Sequence, residues 1–165
     1  MTVKKNLKRF FDPRNVAVVG ASATKGRPGR VVIENMRANG YTGNIYPVNP
    51  RGGRLMGLKV YKTIEDLPSG IDLAIVILAA QATPQAVRDC AARKIGSIVL
   101  VAGGFAEVDH AGEDLQEELA RAARETGVRV LGPNTAGHIS TPANFTSSFF
   151  PLGDIPRGSI SYVAQ

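Results

Sequence analysis

The sequence holds one cysteine, Cys90, and two histidines, which excludes an internal disulfide and supplies no Cys/His set at metal-ligand spacing. A lone cysteine suits a reducing compartment, and the chain is expected to be cytoplasmic. There is no tryptophan, and aromatic residues make up only 6% of the chain, too few for a platform on which nucleic-acid bases would stack. No apolar run approaches the roughly 20 residues of a membrane helix, and the basic N-terminus leads into no signal-peptide core. The densest cationic stretch, Lys4-Lys5-Asn6-Leu7-Lys8-Arg9, is short and reads as a solvated helix face. Nucleic acid and membrane are therefore not expected partners, and no metal site is expected.

What is present is 44% hydrophobic residues over 165 positions, enough to bury one core, so 1–165 reads as a single domain. Net charge is +6, which favours anionic ligands. Short apolar runs at 16–19, 44–49, 71–78, 98–101 and 128–131 alternate with helical periodicity at 29–39, 83–93 and 112–126. Runs that are apolar on both faces belong to strands covered by helices on either side. The class this implies is α/β: a doubly wound parallel sheet in three α/β/α layers. A short lead-in helix or turn is expected at 6–11, stopped by Pro13, and Thr83 is expected to cap the helix that Pro84 opens. Pro47 lies inside the second strand and cannot donate to a ladder, so that strand is irregular or faces a side where the bond is not needed. Residues 139–157 read as an extended excursion and 158–163 as a sixth strand. A domain rarely stops on a core strand, so the chain is expected to be the first domain of a longer polypeptide.

The stretch Val16-Ala17-Val18-Val19-Gly20-Ala21-Ser22-Ala23-Thr24-Lys25-Gly26-Arg27-Pro28-Gly29 organises the chain. A buried strand opens into a loop of small and basic residues, and a helix starts behind it. Gly20, Gly26 and Gly29 let the backbone come close to a ligand, and helix N–H groups favour an anion there. The spacing differs from the G-x-G-x-x-G of nicotinamide domains, and a plain strand-to-helix turn would also use glycine. Lys25, Arg27 and Arg30 favour a polyphosphate, because a turn needs no cluster of cations. At the tip of the second strand stands Asn49-Pro50-Arg51, where a nicotinamide domain usually carries Asp or Glu for the ribose hydroxyls. Arg51 would instead attract a phosphate on that ribose. Two cofactors carry one, NADP and coenzyme A.

Four stretches in this order, Val18-Val19-Gly20-Ala21-Ser22, Ile45-Tyr46-Pro47-Val48-Asn49-Pro50, Gly103-Gly104-Phe105-Ala106-Glu107 and Leu131-Gly132-Pro133-Asn134, carry a resemblance over about residues 7–165. The chain resembles the N-terminal coenzyme A-binding domain of NDP-forming acyl-CoA synthetases, relatives of the succinyl-CoA synthetase α subunit. The resemblance implies that coenzyme A lies across the strand ends. Its phosphates would sit near Gly20, Ala21, Ser22, Lys25, Gly26, Arg27 and Gly29, and its adenosine end near Val48, Asn49, Pro50 and Arg51. Leu78, Ala79 and Ala80 would line the adenine or pantetheine side, and the arm would pass Ala102, Gly103 and Gly104 toward Asn134. Family members often carry Cys after the Gly-Pro-Asn element, where this chain has Thr135, and often continue the last strand as Ser-Gln-Ser-Gly.

In such a ligase an acyl phosphate forms, a histidine takes the phosphoryl group and coenzyme A attacks the acyl group. His110 and His138 match no such motif and read as loop residues. No catalytic residue is therefore expected in this chain, which is expected to be inactive alone and to work with other domains or subunits of the synthetase. The same domain also occurs fused to bacterial protein acetyltransferases, so a regulatory or stand-alone coenzyme A sensor is an alternative, and an NADP-dependent oxidoreductase a more distant one.

Overall fold

The computed structural model describes residues 3–163, with the side chains of its first helix described from Leu7. Five parallel strands form the central sheet: β1 (Asn15–Val19), β2 (Asn44–Val48), β5 (Leu73–Val76), β6 (Ser97–Leu100) and β7 (Arg129–Leu131). Their order is β2-β1-β5-β6-β7. Both β2 and β5 flank β1, so the winding direction reverses there. An open α/β sheet forms its ligand crevice outside the strand C-termini at such a reversal.

Alternate residues of each strand feed different halves of the core, because successive side chains point to opposite faces. Val16 and Val18 of β1, with Leu73 and Ile75 of β5, pack against Val32, Ile33 and Met36 of α2 (Pro28–Ala38) and Phe10 of α1 (Val3–Phe11). Ala17, Val19, Ala74 and Val76 face Val87 and Cys90 of α3 (Thr83–Ala92) and Leu119 and Ala122 of α4 (His110–Thr126). The three expected layers are thus present. Cys90 is one of the packed residues, and burial pushes its thiol up to about 12, so it is inert at neutral pH.

The helix ends follow local chemistry. Asp109 accepts the Gly112 N–H at 2.8 Å to cap α4, and Gly127 closes the helix at φ +70. Thr83 does not act as the cap expected of it. It is the first residue of α3, and its hydroxyl donates to the Ala80 carbonyl at 2.7 Å, because a 3-10 turn over Ala80–Ala82 runs straight into the helix.

Pro47 falls on the outer edge of an edge strand. Its carbonyl accepts from Tyr61 N–H at 2.9 Å on that outer side, so its missing donor costs the β1–β2 ladder nothing. Beyond β2 the glycine-rich stretch 50–59 turns back on itself. β3 (Arg54–Leu55) and β4 (Leu58–Lys59) make a small antiparallel hairpin whose turn, Met56-Gly57, has positive φ at both residues. That is the geometry a two-residue hairpin prefers, since its twist matches the strands.

The excursion after β7 is partly ordered. β8 (Ile139–Ser140) and β9 (Phe145–Thr146) pair antiparallel, and Phe145 is buried in the α1/α2 layer. Buried Asn35 of α2 donates to the carbonyls of Ser148 and Phe150 at 2.9 and 2.7 Å, which ties the following segment down. The sixth strand does not form among the described residues. Residues 158–163 join no ladder, and Ile160, Tyr162 and Val163 are 92, 88 and 95% exposed, so the apolar alternation there has no partner to pack on.

Candidate functional site

The predicted site residues gather where the five strands end, at the C-terminal edge of the sheet. Gly20 to Gly29 follow β1, Asn49 to Arg51 follow β2, Leu78 to Ala80 follow β5, Ala102 to Gly104 follow β6, and Asn134 follows β7. Parallel strands make this convergence compulsory, because each must end on the same side of the sheet before a helix returns the chain.

The first loop is shaped by contact with its neighbours. Gly20 has φ +91, and a Cβ there would collide with the Ile77 carbonyl at the end of β5. A Cβ on Gly29 would collide with the backbone of Gly20 and Ala21. Both glycines are needed by the fold itself, so two of the three loop glycines serve close packing of strand, loop and helix. Gly26, at φ +77, has nothing within 4 Å of a hypothetical Cβ and stands at the open loop tip. The Ser22 hydroxyl accepts the Thr24 N–H at 3.1 Å. Arg30 is committed to the scaffold: its guanidinium donates to the Ala23 carbonyl at 2.6 Å and to Glu34 at 2.7 Å. Exposed Lys25 and Arg27, by contrast, make no ion pair among the described residues. Arg27 precedes Pro28 of α2, and no side chain caps that helix, so its first turn faces the loop uncapped.

Asn49 joins the first loop to the second. Its amide donates to the Ala21 carbonyl at 2.7 Å, and its side-chain oxygen accepts the Arg51 N–H at 3.0 Å. Gly52 N–H closes the turn on the Asn49 carbonyl at 2.9 Å, so Asn49-Pro50-Arg51-Gly52 is a fixed β-turn with Arg51 exposed at its tip. Val48 is buried, and its carbonyl accepts from Gly20 and Ala21 N–H. Ala21 and Ala80 are buried as well. These side chains form the floor of the crevice and do not reach into it.

On the β6 side one carboxylate shapes the loop. Glu107 accepts the Gly104 N–H at 2.7 Å and the Phe105 N–H at 3.2 Å. Those hydrogen bonds hold its carboxyl below the usual carboxylate range. The amides that Glu107 occupies are thus those of Gly104 and Phe105. Asn134, at φ +54, fastens β7's loop to β6's by donating its N–H to the Ala102 carbonyl at 2.8 Å, and its side chain converges with Glu107 over exposed Gly103. Glu107 was legible only as part of a motif; a carboxylate three residues after a glycine turn is the signal for such a clamp.

The two histidines stay outside the crevice. His110 is exposed at the start of α4. His138 is packed by Phe10, Phe11 and Phe145, with Nε2 donating to the Phe10 carbonyl at 2.6 Å and Nδ1 accepting from the Ser147 hydroxyl at 2.9 Å. Both ring nitrogens of the neutral tautomer are satisfied, and burial moves its pKa below the ordinary value. It is a structural residue. Among the described residues no group of three or more His, Cys, Asp or Glu could hold a metal.

A parallel sheet that reverses its winding at β1, with a close-packed glycine turn and unpaired cations on two adjoining loops, defines a nucleotide-cofactor-binding α/β domain. The chain belongs to the CoA binding domain family, whose pattern matches residues 14–140, and coenzyme A is its ligand. It is 38% identical over 97% of its length to an ADP-forming acetate–CoA ligase II of Archaeoglobus fulgidus, covering 24% of that protein. It is 34% identical, again over 97% of its length, to the α subunit of the ADP-forming acetate–CoA ligase I of Pyrococcus furiosus, covering 35% of it. The solved acetyl-coenzyme A synthetase 1 of Ca. Korarchaeum cryptofilum, in complex with phosphate and ADP, superposes with a TM-score of 0.82 at 36% identity, over 88% of this chain and 31% of that one. The chain thus spans about a quarter to a third of the length of these relatives. No helix among the described residues is long and apolar enough to cross a membrane.

Proposed function

We propose that this chain is the coenzyme A-holding domain of an ADP-forming acyl-CoA ligase, working with further domains or subunits of that enzyme. The observation that carries the reading is the convergence of the five strand-end loops on one crevice, with Asn49 locking the diphosphate-side loop to the ribose-side turn. In this arrangement Lys25 and Arg27 face the diphosphate together with the Gly26 tip, and Ser22 lies at the foot of the same loop. Arg51 faces the phosphate on the ribose. Leu78 and Ala79 line the middle of the cofactor, and the pantetheine arm follows the Ala102–Gly104 segment to the Asn134 and Glu107 side chains that meet over Gly103.

The chemistry of these residues is binding and orientation. Two surface cations and a helix start balance a diphosphate, while a guanidinium fork suits a terminal phosphate. Holding the arm extended would present the thiol in one place and remove the entropy of searching for it. The acyl transfer itself would need the groups of the partner domains.

Calorimetric titration of the 165-residue chain with coenzyme A, dephospho-coenzyme A, NADPH and NADH tests the reading. Coenzyme A is expected to bind, and losing the ribose phosphate to weaken it by about 1.5–3 kcal/mol per charge-assisted bond. Binding of NADPH without coenzyme A would sink the proposal.

A further inference from the structure

Lys62 lies in no motif and was not among the residues expected at the site, yet the fold brings it to the ribose end of the crevice. Tyr61 runs beside the end of β2: its N–H donates to the Pro47 carbonyl at 2.9 Å and its carbonyl accepts the Asn49 N–H at 2.8 Å. The next residue, Lys62, therefore emerges alongside the Asn49–Gly52 turn. Its aliphatic stem crosses the face of Gly52, with Cε and Cγ 3.3 and 3.4 Å from where a Cβ on Gly52 would stand. Gly52, at φ +62, is the neighbour of Arg51 and is the one residue type that leaves room for that stem without strain. The stem of Lys62 thus lies against the same turn that displays the guanidinium.

The charge at this turn is uncompensated. Neither Arg51 nor Lys62 makes an ion pair among the described residues, and Asp66, four positions on, is engaged with the Thr63 N–H at 3.1 Å. A terminal phosphate monoester carries about −1.5 to −2 charges at neutral pH. One arginine leaves such a group half neutralised, while an arginine and a lysine match it. We propose that Lys62 is a second cation for the phosphorylated ribose and that, with Arg51, it sets the preference for coenzyme A over the dephospho form. This rests on the placement of coenzyme A given above. The two side chains divide the work by their chemistry: the fork fixes orientation, and the flexible ammonium adds charge from the side.

The test is titration of coenzyme A and dephospho-coenzyme A into the wild-type chain, Arg51→Ala, Lys62→Met and the double variant, with circular dichroism melts on each. Methionine keeps the stem over Gly52 and removes only the charge. Lys62→Met is expected to lower coenzyme A affinity about three- to tenfold and to leave the dephospho form unchanged, as for a partly exposed charge-assisted contact. Lys62→Arg should retain the preference, and raising salt should shrink the wild-type preference more than that of Lys62→Met. A folded Lys62→Met protein with an unchanged preference, while Arg51→Ala collapses it, would overturn the role of Lys62 alone. A wild-type chain that binds both forms equally would overturn the placement of the ribose phosphate, and Lys62 with it.

Discussion

The loops after β1 and β6 look alike in sequence, each a β-branched strand running into small residues with glycine, and the structure makes them chemical opposites. In the β1 loop the one cation needed for support, Arg30, is spent on Ala23 and Glu34, which leaves Lys25 and Arg27 unpaired at the rim. In the β6 loop the amides of Gly104 and Phe105 are taken by Glu107. A glycine loop is an anion site only when its donors are unspent, and that depends on side chains outside the glycines themselves. The first loop accordingly suits a diphosphate, and the second suits an uncharged arm.

The largest way to break this contrast is Gly20→Ala. A Cβ at φ +91 beside the Ile77 carbonyl should cost about 3 kcal/mol or more and remove coenzyme A binding with it, as read by urea unfolding and calorimetry. The same substitution at Gly26, where the tip is open, carries only the strain of its positive φ, about 1 kcal/mol. Next in size, Lys25→Ala with Arg27→Ala should lower coenzyme A affinity about tenfold at low salt, with much of the loss gone in 0.5 M salt. Unaltered affinity would place the diphosphate elsewhere.

The β6 loop offers the pH-dependent counterpart. Glu107 is held below the usual carboxylate range by the amides of Gly104 and Phe105, so its clamp is complete above the ordinary glutamate pKa and is lost as pH falls through the lower folded value. Hydrogen exchange at Gly104 and Phe105 should therefore rise only in strongly acidic solution, and Glu107→Gln should raise it at neutral pH without changing the preference for the phosphorylated cofactor. Exchange that is indifferent to Glu107 would mean the two loops differ less than their hydrogen bonds suggest. The smallest effect belongs to Arg30→Ala, which removes the brace on Ala23 and should cost about 1 kcal/mol in a thermal melt.

Much of the fold, and the sheet edge on which the candidate residues gather, was readable in the sequence. The order of strands and helices follows from apolar runs and their breakers, and Asn49-Pro50-Arg51-Gly52 is a turn by composition alone, with Pro at its second place and Gly at its last. What escaped were contacts between residues distant in sequence or lacking a pattern: Asn49 reaching Ala21, Lys62 lying over Gly52, and the β3–β4 hairpin, whose strands are too short to show alternation. The segment 158–163 erred in the other direction. Its alternation is that of a strand, but a strand exists only where another chain segment takes its hydrogen bonds, and none among the described residues does.

By itself the sequence determined the class of fold and the edge at which the candidate residues gather, because hydrophobic periodicity sets the elements and parallel strands all finish on one side. Which cations remain available, which glycines serve packing rather than binding, and which amides are already occupied were decided only in three dimensions. Each of those depends on whether a charge or a donor has been satisfied by a partner, and that partner is chosen by the packing of the sheet.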